Sequence, residues 1–113
     1  MPVTMYHNPR CNTSRRTLAL LREKGIEPTI IEYLKTPYTA MQLKRLLGQL
    51  KMPASKLLRK KEATAADIDP AALAEDALIE AMAKNPIIVE RPIVVSGQKA
   101  ALGRPPEAVL SVL

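Results

Sequence analysis

The sequence predicts an α/β fold, a mixed four-stranded sheet with a helical insertion between the second and third strands. Three observations carry that expectation. Two short β-type segments flank an amphipathic helical one near the N-terminus. Two more follow each other across a glycine turn near the C-terminus, and the stretch between the pairs has helical periodicity. With 113 residues, 47% of them hydrophobic and 25% charged, the chain suits one folded domain spanning 1–113 rather than disorder.

Val3-Thr4-Met5-Tyr6 alternates apolar and polar and predicts a first strand, which His7-Asn8-Pro9-Arg10 breaks. Thr13 and Ser14 are helix N-cap residue types, Leu18 and Leu21 supply an apolar stripe, and Gly25 is a natural stop. Thr29 to Leu34, rich in β-branched residues, predicts a second strand, and the βαβ order implies parallel pairing with the first. Thr39 to Leu50 carries Leu43, Leu46, Leu47 and Leu50 at helical spacing. After Pro53, Leu57 to Glu62 reads as a short helix or turn. Asp69-Pro70 then reads as the start of a helix running to about Lys84. Pro92 to Val95 is the third strand, Ser96-Gly97-Gln98-Lys99 a hairpin turn and Ala100 to Gly103 the fourth strand. Pro105-Pro106 opens a last helix. Setting aside about 38–84 leaves a thioredoxin-like core.

Composition excludes several classes. Cys11 is the single cysteine, so no internal disulfide forms, and one thiol with one histidine cannot build a structural zinc site. An unpaired thiol fits a reducing compartment. Met1 to Arg10 has no apolar signal core, and no apolar run reaches membrane-spanning length; a cytoplasmic protein is expected. Lys plus Arg is 17 against 11 for Asp plus Glu, a formal charge of +6 that attracts anions. Direct nucleic-acid binding is disfavoured because stacking needs aromatics, and the chain has three Tyr and no Phe or Trp. The basic stretch from Lys44 to Lys61 is better explained as a solvated helix face or a docking face for an acidic partner.

Cys11 falls between a strand and a helix, where exposed N–H groups and the helix dipole favour an anion. Arg10, Arg15 and Arg16 add positive charge nearby. Both effects lower a thiol pKa, and the thiolate is the nucleophile. A second redox cysteine would stand at position 14, where the chain has Ser14; its hydroxyl can donate to a thiolate but cannot resolve a disulfide, so an external thiol is obligatory. His7 is placed either to support the thiolate or to make a structural bond at the strand end.

The segment Tyr6-His7-Asn8-Pro9-Arg10-Cys11-Asn12-Thr13-Ser14-Arg15 resembles the active-site segment of the glutaredoxin-linked arsenate reductase family, within the Spx/arsenate reductase superfamily. Leu57 to Glu62, Asn85 to Val95 and Ala101 to Pro106 resemble its later blocks, in family order. The resemblance implies a thioredoxin-like fold with a helical insertion. It also implies reduction of arsenate to arsenite, with no tightly bound cofactor and with glutathione as co-substrate and glutaredoxin as partner. By resemblance Cys11 is the nucleophile and Arg59, Arg91 and Arg104 hold the oxyanion, while His7 and Ser14 support the thiolate and Pro92 is the cis proline beside it. Guanidinium groups suit that work: they bind tetrahedral oxyanions bidentately and keep their charge.

Two alternatives remain. One is an Spx-type regulator binding RNA polymerase, although such proteins carry a two-cysteine switch where this chain has Cys11 and Ser14. The other is a glutathione-dependent thiol reductase with another substrate.

Overall fold

The computed structural model describes residues 2–113. The chain forms two compact units. The first comprises the residues up to Thr36 together with Arg91–Leu113, and the second is Pro37–Glu90.

The first unit is built on a mixed sheet of four strands, β1 (Val3–His7), β2 (Thr29–Glu32), β3 (Ile93–Ser96) and β4 (Lys99–Leu102), in the order β2-β1-β3-β4. β1 and β2 pair in parallel, joined by helix α1 (Asn12–Glu23), as a strand–helix–strand connection requires. β3 pairs antiparallel to β1, and β4 antiparallel to β3 across a turn in which Gly97 takes φ +62°. The thioredoxin-like α/β class and its mixed four-stranded sheet both hold. Period-2 alternation along β1 turns Val3, Met5 and His7 toward the buried face. Val3 and Met5 join Leu21, Val94 and Val109 in the core, flanked by Leu18, Leu20, Ile26 and Ala101. His7 therefore ends the strand on an apolar face.

Boundaries shift where hydrogen bonds compete. β2 stops at Glu32, not Leu34, because the Glu32 carbonyl accepts turn bonds from the N–H groups of Lys35 and Thr36. α1 starts at Asn12 with Cys11 itself as the N-cap, so neither Thr13 nor Ser14 caps the helix. Gly25, at φ +76°, follows its end. The closing segment, Pro106–Val112, winds as a 3-10 helix.

The second unit is helical. It contains α2 (Ala40–Leu50), α3 (Ala54–Leu57), α4 (Lys60–Ala65) and α5 (Glu75–Lys84). A capping box opens α2: the Thr39 side chain accepts from the Gln42 N–H, and the Gln42 side chain accepts from the Thr39 N–H. Asp69-Pro70 starts only a 3-10 turn, Pro70–Ala72, since Leu73 and Ala74 are extended. α5 begins later, where Glu75 and Asp76 suit a helix start and Glu75 Oε2 accepts the Ala54 N–H at 2.9 Å, tying α5 to α3. Among the described residues no helix is long and apolar enough to cross a membrane.

Candidate functional site

The turn after β1 carries the thiol. The Asn8 carbonyl accepts from the Cys11 N–H at 3.0 Å, and Asn8 Oδ1 accepts from the Arg10 N–H at 3.0 Å. An Asn-Pro pair suits such a turn, because asparagine bonds its own downstream backbone and proline presets its φ. The Cys11 carbonyl accepts the Arg15 N–H at 3.0 Å and so launches α1. Cys11 is only half-buried, and its side chain makes no capping hydrogen bond as it stands.

Two arginines from the other end of the chain reach this thiol. Arg104 donates from Nε to the Arg91 carbonyl at 2.8 Å and from Nη2 to Cys11 Sγ at 3.8 Å. Both arginines precede prolines in cis linkage, Arg91–Pro92 and Arg104–Pro105. The pair is held together by backbone, because the Gly103 N–H donates to the Pro92 carbonyl at 2.9 Å. Gly103 permits that closeness: a Cβ there would lie 2.8 Å from both Pro92 Cγ and Thr17 Oγ1. Arg91 Nε and Nη1 are buried and have no hydrogen-bond partner among the described residues. Cationic donors withdrawn from water without an acceptor are costly. Two guanidinium charges against one thiolate leave a net positive site with donors to spare, which suits an oxyanion.

The electrostatics follow from these contacts. Burial pushes the Cys11 thiol up. The Ser14 backbone N–H, the Arg91 guanidinium as donor and charge, and the Arg104 charge together outweigh it, so the thiol sits below its ordinary value. The charges that act on sulfur thus come from Arg91 and Arg104. Of the three nearby arginines expected to do so, Arg10 and Arg16 are exposed, and Arg15 turns to the turn backbone and Asn12.

His7 and Ser14 lie beneath. Ser14 is fully buried, with Oγ 2.6 Å from His7 Nδ1 and accepting the Asn8 N–H at 3.1 Å. The Ser14 hydroxyl is therefore engaged by His7 and Asn8 rather than by the sulfur. Burial first, then the Arg22 and Arg15 charges, hold His7 below its ordinary value against the upward pull of Glu32.

Arg59 belongs to the second unit. It is the N-cap residue of α4, with Nε on Glu62 Oε2 at 2.6 Å and Nη1 on Glu90 Oε1 at 3.0 Å. Its N–H donates to the Ile88 carbonyl at 2.7 Å beside the Leu58–Val89 bridge. Among the described residues no cluster of three or more His, Cys, Asp or Glu could hold a metal ion.

Sequence reasoning missed Gly103 and Thr17 as supports of the site, and missed the knitting role of Asn8. Only Asn8 left a signal, in the Asn-Pro turn pair.

A thioredoxin-like α/β unit with a lone helix-start thiol under two arginines is a defined class of protein. The chain belongs to the ArsC family, whose family model matches residues 6–112. Among curated relatives, the arsenate reductase of Escherichia coli is 42% identical over 98% of this chain and 80% of that protein. The uncharacterized Escherichia coli protein YfgD is 50% identical over 98% of this chain and 96% of its own length. The solved structure of arsenate reductase from Vibrio cholerae superposes with a TM-score of 0.90 at 45% identity, covering 100% of this chain and 98% of that one.

Proposed function

We propose that this protein reduces arsenate to arsenite in a reducing, cytoplasmic setting, with Cys11 as nucleophile and glutathione and glutaredoxin as external thiol donors. The Cys11 thiolate attacks arsenic(V), an oxygen leaves as water after protonation, and an S–As bond forms. A glutathione thiolate then attacks the Cys11 sulfur. The S–As electron pair stays with arsenic, which departs as arsenite, and Cys11 is left in a mixed disulfide with glutathione for glutaredoxin to reduce. Arg91 and Arg104 hold the oxyanion, Pro92 shapes the wall beside it, and the buried His7–Ser14 pair keeps the Ser14 N–H in place. The part of Arg59 rests on the family resemblance alone.

The observation that supports this most is Arg91, with two buried nitrogens that have no hydrogen-bond partner among the described residues, near a sulfur that takes the Arg104 contact at 3.8 Å. The test is arsenate-dependent oxidation of glutathione by the pure protein with glutaredoxin, using phosphate and sulfate as controls. Turnover with arsenate alone among the oxyanions supports the proposal. Glutathionylation of Cys11 without arsenate turnover would instead favour a thiol reductase with another substrate.

A further inference from the structure

Arg15 makes two contacts that the activation of sulfur by charge does not use. Its Nη1 donates to the Pro9 carbonyl at 2.9 Å and its Nη2 to Asn12 Oδ1 at 2.9 Å. Pro9 lies two residues before Cys11 and Asn12 directly after it, so one rigid guanidinium spans the thiol residue from both flanks. The turn that carries Cys11 is otherwise tied by the two Asn8 acceptor bonds, to the N–H groups of Cys11 and Arg10, by the Asn8 N–H on Ser14 Oγ and by the Arg15 N–H on the Cys11 carbonyl. Cys11 takes extended angles, φ −92° and ψ 122°, immediately before a helical residue, a junction that its neighbours must define. The Arg15 charge acts on His7, whereas the charges acting on Cys11 are those of Arg91 and Arg104.

We infer that Arg15 is a positioning residue that clamps Pro9 to Asn12 and thereby holds the Cys11 sulfur at the start of α1, against the Arg104 guanidinium. The inference rests on Cys11 as the reacting group. It does not depend on which oxyanion is reduced. A lysine cannot replace the clamp, because one ammonium nitrogen lacks the planar fork that reaches two acceptors at once.

The experiment compares wild type, Arg15→Lys and Asn12→Ala, reading the rate of Cys11 alkylation by a neutral reagent against pH, with thermal melts alongside. It needs no arsenate, so failure of the arsenate proposal leaves it interpretable. Arg15→Lys keeps the charge and should still shift the profile toward higher pH, slowing alkylation below the wild-type midpoint about threefold to tenfold. Asn12→Ala keeps Arg15 but removes one arm of the clamp, and should shift the profile in the same direction by less. Melting temperatures should hardly move, because both bonds are exposed. An Arg15→Lys profile that overlays wild type would overturn the clamp in favour of charge alone. Should Arg15→Lys fail to fold, an Asn12→Ala profile overlaying wild type would overturn it equally.

Discussion

Replacing Gly103 with alanine should damage the site without removing any group that reacts. The added Cβ would lie 2.8 Å from Pro92 Cγ, 2.8 Å from Thr17 Oγ1 and 3.3 Å from Pro92 Cδ. Neither neighbour can step aside easily. Thr17 is fully buried with Oγ1 donating to the Thr13 carbonyl at 2.9 Å, and Pro92 is a buried ring. Gly103 is not in the left-handed region, so the cost is steric rather than conformational. Overpacking of this kind costs about 1–3 kcal/mol. For a chain of this size that is a fall of roughly 4–12 °C in melting temperature. The displacement should also reach the chemistry. Gly103 is hydrogen-bonded to Pro92, and Arg104 follows it with contacts to the Arg91 carbonyl and Cys11 Sγ. Thermal melts and the rate of Cys11 alkylation at one fixed pH report the two effects. An alanine variant that melts and alkylates like wild type would show that the close approach of Gly103 to Pro92 and Thr17 supports neither stability nor the thiolate.

Three further outcomes follow from the site. Cys11→Ser should abolish arsenate-dependent turnover while circular dichroism stays unchanged, and turnover near the wild-type rate would end the thiolate mechanism. Arg91→Lys or Arg104→Lys keeps a charge but loses the fork, and should lower arsenate turnover about ten- to a hundredfold, the equivalent of roughly 1.5–3 kcal/mol. Arg22→Lys is the control, since Arg22 is exposed and paired with Glu27 at 3.0 Å; a comparable loss there would mean general electrostatics. Because folded Cys11 sits below its ordinary value of 9.0, the unfolded chain binds more protons between the folded midpoint and 9.0. Cys11 thus contributes stability that is complete above 9.0 and is lost as pH falls through the folded midpoint. Denaturant unfolding of wild type minus Cys11→Ser should rise with pH across that window; a flat difference would refute a depressed thiol.

Local signals made much of the fold legible. Alternation in Val3 to Tyr6, leucine spacing in α2 and the Ser96-Gly97 turn each depend on residues a few positions apart, and each appears in the structure where periodicity predicts it. The helix expected from Pro70 failed for a different reason. Asp69-Pro70 is a sound local start signal, but the longer helix begins where Glu75 can accept the Ala54 N–H, a partner 21 residues away. The chain leaves the helical region at Leu73 and Ala74, and the helix that follows is tied to α3 by a partner that local pattern does not show. Ser14, an N-cap residue type, does not cap α1, because its hydroxyl turns back to His7 and Asn8 beneath the helix.

The sequence by itself determined the α/β class, the order of the elements and the placement of the lone thiol at a strand-to-helix junction, because those depend on side-chain period, turn residues and a single cysteine. It also named Arg91 and Arg104 through resemblance. Only the tertiary structure brings Arg104 into contact with the sulfur, while Arg15 beside the cysteine turns to the turn backbone and Asn12. Arg104 and Cys11 are 93 residues apart. What joins them is the antiparallel pairing of β3 with β1 and of β4 with β3, together with a glycine small enough to let Pro92 and Thr17 meet around it. Local chain chemistry sets where a helix begins; which distant charge faces its first turn is set by sheet register and packing, to which the spacing of neighbouring residues is blind.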